Sequence, residues 1–400
     1  MSDKKKDIWN SRYYVISKVY MTISGIWPYH RLRDRYIRFV PIFIFCFSIF
    51  IPQLLYVLTS ADVDDIFESV PAVLISITFS IKIASMMFNS KRITSCLKII
   101  EENWLSLNTD VERAILARHS EYGRHLTTFY TVLMHMTAFF YLLKPVVVTL
   151  LEDNTANVTK SSIPGASKLP FQVEYGEKLD QYFYPIIIHC YLGVFSHVYC
   201  TLAVDTLYYI LVQHACGMFS IVGHILEDIG KDSDANFHMQ PEKIKDINYH
   251  KALDCLRKHL HVIEFAELIE SLFTNIFLVS TTLNMICGSI SGIRVVMNLS
   301  NARDIAAPMA IYIAQLTHLF LQFWQAQFLL DYSSVPYESI CKGKWYYTSK
   351  RCRKIFLLIM SRTMSPCILT AGKIVTLSIE NFGAVLKTSM SYFTVLRSFQ

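Results

Sequence analysis

Glycine and proline are scarce, at 13 and 12 in 400 residues. A transmembrane β-barrel needs short alternating strands closed by frequent turns, and no such pattern is present. Charge is also scarce: 18% of residues are charged, 52% are hydrophobic, and mean hydropathy is +0.32. An ordinary soluble domain carries about 25% charged residues, so the composition points to a polytopic, all-α membrane protein. Catalytic signatures are missing too. There is no nucleophile elbow, HExxH helix or phosphate loop, and the intramembrane polar residues are scattered. The reading is therefore not an enzyme, with no cofactor and no nucleic-acid partner. Lys4, Lys5 and Lys6 make the start basic, but no compact apolar core and small-residue cleavage site follow. The first long apolar run begins near Phe39 and is expected to insert and stay.

Seven runs reach spanning length. They lie at about 39–59, 69–88, 128–151, 182–212, 271–297, 305–330 and 373–397. The stretch from Tyr182 to Leu226 is almost continuously apolar, so the fourth helix is expected to run past the bilayer into a packed region. "KIFLLIM" at 354–360 is too short to span. Pro366 and Gly372 interrupt helix beyond it, which predicts a cytoplasmic half-helix feeding the last span. The resulting division is a cytoplasmic segment 1–38, a six-helix membrane bundle 39–330 with a cytoplasmic extension 213–270, a cytoplasmic anchor 331–372, and a seventh helix 373–400.

Lysine and arginine set the orientation. Segments 1–38, 89–127, 213–270 and 331–372 hold 28 of the 38, and segments 60–68, 152–181 and 298–304 hold four. The basic side is cytoplasmic, so the N-terminus is inside and the C-terminus outside. Two N-x-[ST] sequons, Asn157-Val-Thr159 and Asn298-Leu-Ser300, fall in loops that this topology makes extracellular. Asn157 is the better glycosylation candidate, because Asn298 sits against a span end. None of the ten cysteines falls in an extracellular loop, so free thiols are expected. His250, Cys255, His259 and His261 match no zinc spacing, and no metal site is expected.

A G-protein-coupled receptor has seven spans in the opposite orientation. Asp34-Arg35-Tyr36 resembles its tripeptide but precedes the first span here, so it reads as coincidence. A transporter usually shows internal repeats with broken helices, and none is evident. An inverted seven-span metal-dependent receptor needs His and Asp ligands within the spans; Asp205, His197 and His189 offer only a spacing of eight. A channel needs a helix with one wettable face. On the last span, residues 376, 380, 383, 387, 391, 394 and 398 share a face, because steps of three and four follow the helical period. They read Thr376, Glu380, Gly383, Lys387, Ser391, Thr394 and Ser398. Val375, Ile379, Phe382, Leu386, Met390 and Phe393 form the opposite stripe. Charge at that depth faces either water or a polar neighbour.

These residues carry a resemblance. The stretch PYESICKGKWYYTSKRCRKIFLLIMSRTMSPCILTAGKIVTLSIENFGAVLKTSMSYFTVLRS resembles the loop-and-last-helix signature of insect odorant receptors. Trp345-Tyr346, Arg353, Leu357-Leu358, Arg362, Pro366, Gly372, Phe382, Leu386 and Ser391 to Leu396 carry it. Gly25-Ile26-Trp27-Pro28 resembles the family's segment before the first span. The resemblance implies a tuning subunit of an odorant-gated, non-selective cation channel in the plasma membrane of a sensory neuron's dendrite. Such a subunit forms a heterotetramer with an olfactory co-receptor and requires no G protein. The last helices would line a central pore, here through Glu380, Lys387, Ser391, Thr394, Val395, Ser398 and Phe399, with Val395 the best gate candidate. The sister gustatory receptors share this architecture but carry Gln-Phe where this chain has Ser398-Phe399. The odorant would be small, volatile and mostly apolar, held among the outer halves of the second, third, fourth and sixth spans. Ile77, Met136, Phe140, Leu143, Tyr184, Ile188, Tyr191 and Tyr312 are the candidates for contact.

Overall fold

Residues 200–219 are buried without exception. They belong to a helix of 46 residues, α6 (Phe183–Asp228), whose sequence is apolar on every side. A helix of that kind has no solvent face to present and goes to the centre of a bundle. The structure, a computed structural model, describes residues 8–153, 169–176, 181–231, 246–297 and 302–398. Around α6 stand α1 (Val15–Ile23), α2 (Leu32–Thr59), α3 (Val63–Phe88), α5 (Asp110–Asp153), α7 (Ile247–Met297) and α8 (Ala302–Lys342), all of which touch it. Two shorter helices, α4 (Ser90–Ser106) and α9 (Lys350–Thr363), pack against one end of α7, and α10 (Ile379–Ser398) lies against α7 and α8.

Six of the seven apolar runs fall within one helix each, to within a residue. Among the described residues, five helices are long and apolar enough to cross a membrane: those within α2, α3, α5, α6 and α7. The domain boundaries drawn at 270 and 330 cut through α7 and α8, which run on without a break. The outward face of α2 is an apolar stripe, with Ile37, Val40, Ile44, Phe47, Ile51, Leu55 and Leu58 exposed. That is the face a helix turns to lipid.

The last run begins six residues later than its hydropathy predicts. Thr370–Ala371 (β1) and Val375–Thr376 (β2) form a small antiparallel ribbon, and α10 starts only at Ile379. Gly372 and Lys373 have φ of 63° and 62°, and Ile374 N donates to Ala371 O at 3.1 Å. Two positive φ values in succession make a tight hairpin turn of the kind that suits paired strands. The ribbon is bolted to α7. Gly372 N donates to Thr274 O at 2.9 Å, Thr370 N donates to Glu270 Oε2 at 2.8 Å, and Lys373 Nζ reaches Glu270 Oε1 at 2.9 Å. A β-carbon at Gly372 would lie 2.7 Å from Leu278 Cδ2, so glycine serves both the turn and the close approach. The predicted half-helix exists as α9, but it reaches α10 only through this ribbon.

The Gly25-Ile26-Trp27 segment is also a structural device. Gly25 ends α1 with φ of 73°, and Ile26 and Trp27 donate back to Met21 O. This is a left-handed helix C-cap that only glycine adopts without strain. It drives Ile26 and Trp27 into the core, where Trp27 packs edge-on against Trp9 at 5.5 Å.

α5 starts with a capping box. Glu112 N donates to Thr109 Oγ1 at 3.1 Å, and Glu112 Oε2 accepts from Asn108 N at 3.0 Å. Lys258 Nζ on α7 donates to the other oxygen at 3.0 Å. Burial pushes the Glu112 carboxyl up. The Lys258 hydrogen bond and the Asn108 and Thr109 backbone outweigh that, and the group sits below the usual carboxylate range. A lowered native value means stabilisation that is present above the ordinary pKa of about 4.3 and fades as pH falls through the native value. Glu112→Gln should therefore cost about 1 kcal/mol at pH 7, with the gap to the unmodified chain closing below about pH 4. Thermal unfolding of the solubilised chain at both pH values measures this.

Candidate functional site

Two charges lie deep in apolar helices. Lys82 on α3 and Asp205 on α6 are both almost fully buried, and Lys82 Nζ donates to Asp205 Oδ1 at 2.8 Å and Oδ2 at 3.1 Å. An isolated buried charge is prohibitively costly, so each requires the other. Tyr130 OH on α5 donates to Asp205 Oδ2 at 2.8 Å. His318 Nε2 on α8 stands 2.9 Å from the same oxygen. Tyr208 OH donates to Gln322 O at 3.0 Å, one turn further along α8. Four helices are thus tied together through one carboxylate. Asp205 does not meet His197 or His189 in a ligand set: His189 hydrogen-bonds Ser48 and Tyr175 instead. Among the described residues no group of three potential metal ligands comes together.

A cavity of about 550 Å³ opens above this network. Tyr130 and His318, both on Asp205, line it. Its apolar wall comes chiefly from Ile75 and Phe79 on α3, Met134 and Ala138 on α5, Val194 and Val198 on α6, and Ile311 on α8. Polar side chains are also frequent in the lining, and several are committed to one another. Ser76 donates to Gln53 at 2.7 Å, and Arg294 pairs with Glu68 at 3.2 Å. Phe171 from the segment before α6 is also part of the lining. Size, mixed lining and enclosure between helices are those of a small-molecule site.

None of the eight residues predicted to touch a ligand lines this cavity. Met136, Phe140, Tyr184 and Ile188 lie on exposed faces. Tyr191 OH donates to Leu142 O at 3.2 Å and links α6 to α5. Ile77, Leu143 and Tyr312 are half-buried on other faces of their helices. On α3 and α5 the cavity-facing residues stand two positions away, Ile75 and Phe79 rather than Ile77, and Met134 and Ala138 rather than Met136; on α6 they begin only at Val194, beyond Tyr184, Ile188 and Tyr191. One signal could have found the site. A lysine and an aspartate inside two apolar runs mark a functional depth, and the cavity sits directly over their pair.

On α10, Phe382, Val385 and Ser389 face the bundle. Phe382 packs on Phe320 and Phe323 at 5.5 and 5.9 Å, and Ser289 Oγ on α7 donates to Ser389 O at 3.1 Å. Glu380, Lys387 and Ser391 share the exposed side. The predicted polar stripe is therefore open along those three residues. Thr394, Val395 and Ser398 fall in the last turns of α10, but their side chains, all of Phe399 and the sequon at Asn157 lie outside the described residues.

The buried pair yields a direct expectation. Lys82→Met leaves Asp205 uncompensated and should destabilise the chain by about 3–5 kcal/mol. Lys82→Met with Asp205→Asn removes the orphan charge and should recover much of that loss, as read by thermal unfolding or by the folded fraction after solubilisation.

Comparison with known proteins agrees with this architecture. The model of the 7tm Odorant receptor family matches residues 62–390. Odorant receptor 13a of Drosophila melanogaster is 25% identical over 249 residues, covering 59% of this chain and 57% of that protein. Odorant receptor Or2 of Anopheles gambiae is 27% identical over 147 residues, 36% of this chain and 38% of that one. The chain thus spans little more than half the length of the first of these relatives and less of the second. Odorant receptor Or1 of Anopheles gambiae aligns more broadly, at 20% identity over 94% of this chain and 93% of its own. In fold, the chain is similar to the insect olfactory receptor OR5 of Machilis hrabei in complex with eugenol. The TM-score is 0.74 and the identity 13%, over 98% of this chain and 100% of that one. A helical bundle around one buried helix, a cavity between its helices and a family match across most of its length together place the chain: it belongs to the 7tm odorant receptor family, a family of membrane proteins and not of enzymes.

Proposed function

We propose that this chain is the tuning subunit of an odorant-gated, non-selective cation channel. It assembles with an olfactory co-receptor as a heterotetramer in the plasma membrane of a sensory neuron, N-terminus inside. The odorant occupies the cavity above Lys82 and Asp205, and α10 contributes to the pore.

One observation carries this reading: the same stretch of α7 borders the cavity on one side and α10 on the other. Asn284, Ser291 and Arg294 line the cavity. Ser289, between them, holds Ser389 of α10, with the two hydroxyl oxygens 3.0 Å apart. α8 repeats the arrangement, lining the cavity with Ile311 to His318 and packing Phe320 and Phe323 on Phe382. A ligand that shifts α7 or α8 moves the wall on which α10 rests. The exposed Glu380, Lys387 and Ser391 give α10 a wettable side suited to a pore. The ribbon at 370–376 holds the start of α10 to Glu270 and Thr274, so motion concentrates toward its far end.

Expressed with the co-receptor, the chain should give a fast odorant-evoked cation current that G-protein blockade leaves intact. Expressed alone it should give none. A current abolished by G-protein blockade would overturn the channel reading.

Lys387 lies about two turns before Val395 on α10. A lysine at the lumen repels cations, so Lys387→Gln should raise unitary conductance or shift cation selectivity. Val395→Cys should be blocked by a water-soluble thiol reagent during odorant application. Silence at both positions with normal surface assembly would mean that the polar face packs against a neighbouring subunit.

A further inference from the structure

Two side chains on one face of α6 point to the chemistry of the ligand. His197 and Thr201 both line the cavity, one helical turn apart. They are more than nine-tenths buried, at 7% and 1% exposure. Neither His197 Nε2 nor Thr201 Oγ1 has a hydrogen-bond partner. Buried polar atoms are nearly always satisfied, so two orphans one turn apart in one cavity call for a partner. The imidazole also hydrogen-bonds the Cys46 backbone. Since Nε2 is the partnerless nitrogen, that bond uses Nδ1, which must donate to the carbonyl. In the neutral ring Nε2 is then an acceptor. Phe79 packs on the ring at a centroid distance of 5.2 Å and holds its plane. Thr201 adds a hydroxyl that both donates and accepts. Gln315 on α8 contributes another acceptor: one N–H of its amide donates to Cys287 Sγ, and its Oε1 is free of partners.

Resting on the reading of this cavity as the odorant site, we infer that it is built for a neutral molecule bearing a hydroxyl group, an alcohol or a phenol. The ligand O–H donates to His197 Nε2, and its oxygen accepts from Thr201. A ketone, ester or ether can accept from Thr201 but leaves the imidazole lone pair unsatisfied, and a hydrocarbon leaves both groups so. A carboxylate can accept from Thr201 but sets its negative charge against the lone pairs of His197 Nε2 and Gln315 Oε1, and the cation of the lining, Arg294, already pairs with Glu68. An ammonium would need a carboxylate, and Asp205 is committed to Lys82. The rest of the ligand lies on Phe79, Met134, Ala138 and Val194, which offer only apolar contact. Water in the same place would make the same two bonds. A hydroxyl displaces it without loss, and an ether does not.

The test uses matched probes on the chain assembled with its co-receptor: 1-octanol, its methyl ether and octane, and 4-propylphenol with 4-propylanisole. Half-maximal concentration of the evoked current is the first readout, and thermal stabilisation of the purified assembly by the same probes is the second. The alcohol and the phenol should act at about tenfold lower concentration than their ethers. His197→Phe should erase that preference while changing the ethers by less than about twofold, whereas Thr201→Val should weaken alcohols and ethers together and leave the preference in place. Thr201→Ser should keep it. Ethers as potent as alcohols, no stabilisation by any probe, or a His197→Phe variant that weakens alcohols and ethers alike would overturn the proposal. Ala138→Trp, which fills the cavity, separates the two readings. If it weakens every probe while His197→Phe weakens alcohols and ethers equally, only the hydroxyl assignment falls. If it leaves every probe unaffected, the cavity is not the odorant site and both readings fall.

Discussion

A buried lysine facing a buried aspartate organises this molecule. Neither Lys82 nor Asp205 tolerates its position alone, because a single charge in an apolar interior has no water to solvate it. Their pairing fixes α3 against α6, and Tyr130 and His318 bring α5 and α8 to the same carboxylate. Helices held at one depth by polar contacts need not close as tightly elsewhere. The cavity lies immediately above the knot, with two of its members, Tyr130 and His318, in the lining. Ion pair and cavity are two consequences of the same placement of charge.

The second constraint is the continuity of α6, α7 and α8. Each runs for more than 40 residues, from the cavity region to the end of the bundle where α9 and the ribbon sit. A long helix transmits a displacement at one level to another without needing a new contact. Around α7, Arg92 reaches Ser271 O at 3.2 Å, Arg362 pairs with Glu267 at 3.6 Å, and the ribbon is bound at Glu270 and Thr274. The middle of α7, from Glu267 to Thr274, is therefore clamped from several sides, while its C-terminal part borders the cavity and α10. The link between these places is geometric; two distinct states of α7 remain the physical requirement for a switch.

Much of this was legible in the sequence. The apolar runs located the helices, the uninterrupted stretch after Tyr182 marked α6 as central, and periodicity on the last run separated Phe382 from Glu380 and Lys387. The ribbon at 370–376 was not legible, because "TAGKIVT" continues the apolar pattern and the turn depends on two positive φ values that hydropathy does not encode. Gly372 was the one hint. The cavity-facing residues were not legible for a related reason. α3 and α5 are apolar on both their lipid side and their inner side, so period alone cannot choose between Met136 and Met134, or Ile77 and Ile75. The inner side is in fact the more polar one, with Ser76, His197 and Thr201, and a search for apolar contacts looks away from it.

A structure of the assembled channel with a bound odorant tests the central claim most directly. The account predicts ligand density enclosed by α3, α5, α6 and α8, above the Lys82–Asp205 pair and against the His197 face, with Lys387 of α10 turned toward the central axis. Density on the outer face at Met136, Phe140 and Tyr184, or α10 at the lipid boundary away from the axis, would contradict it.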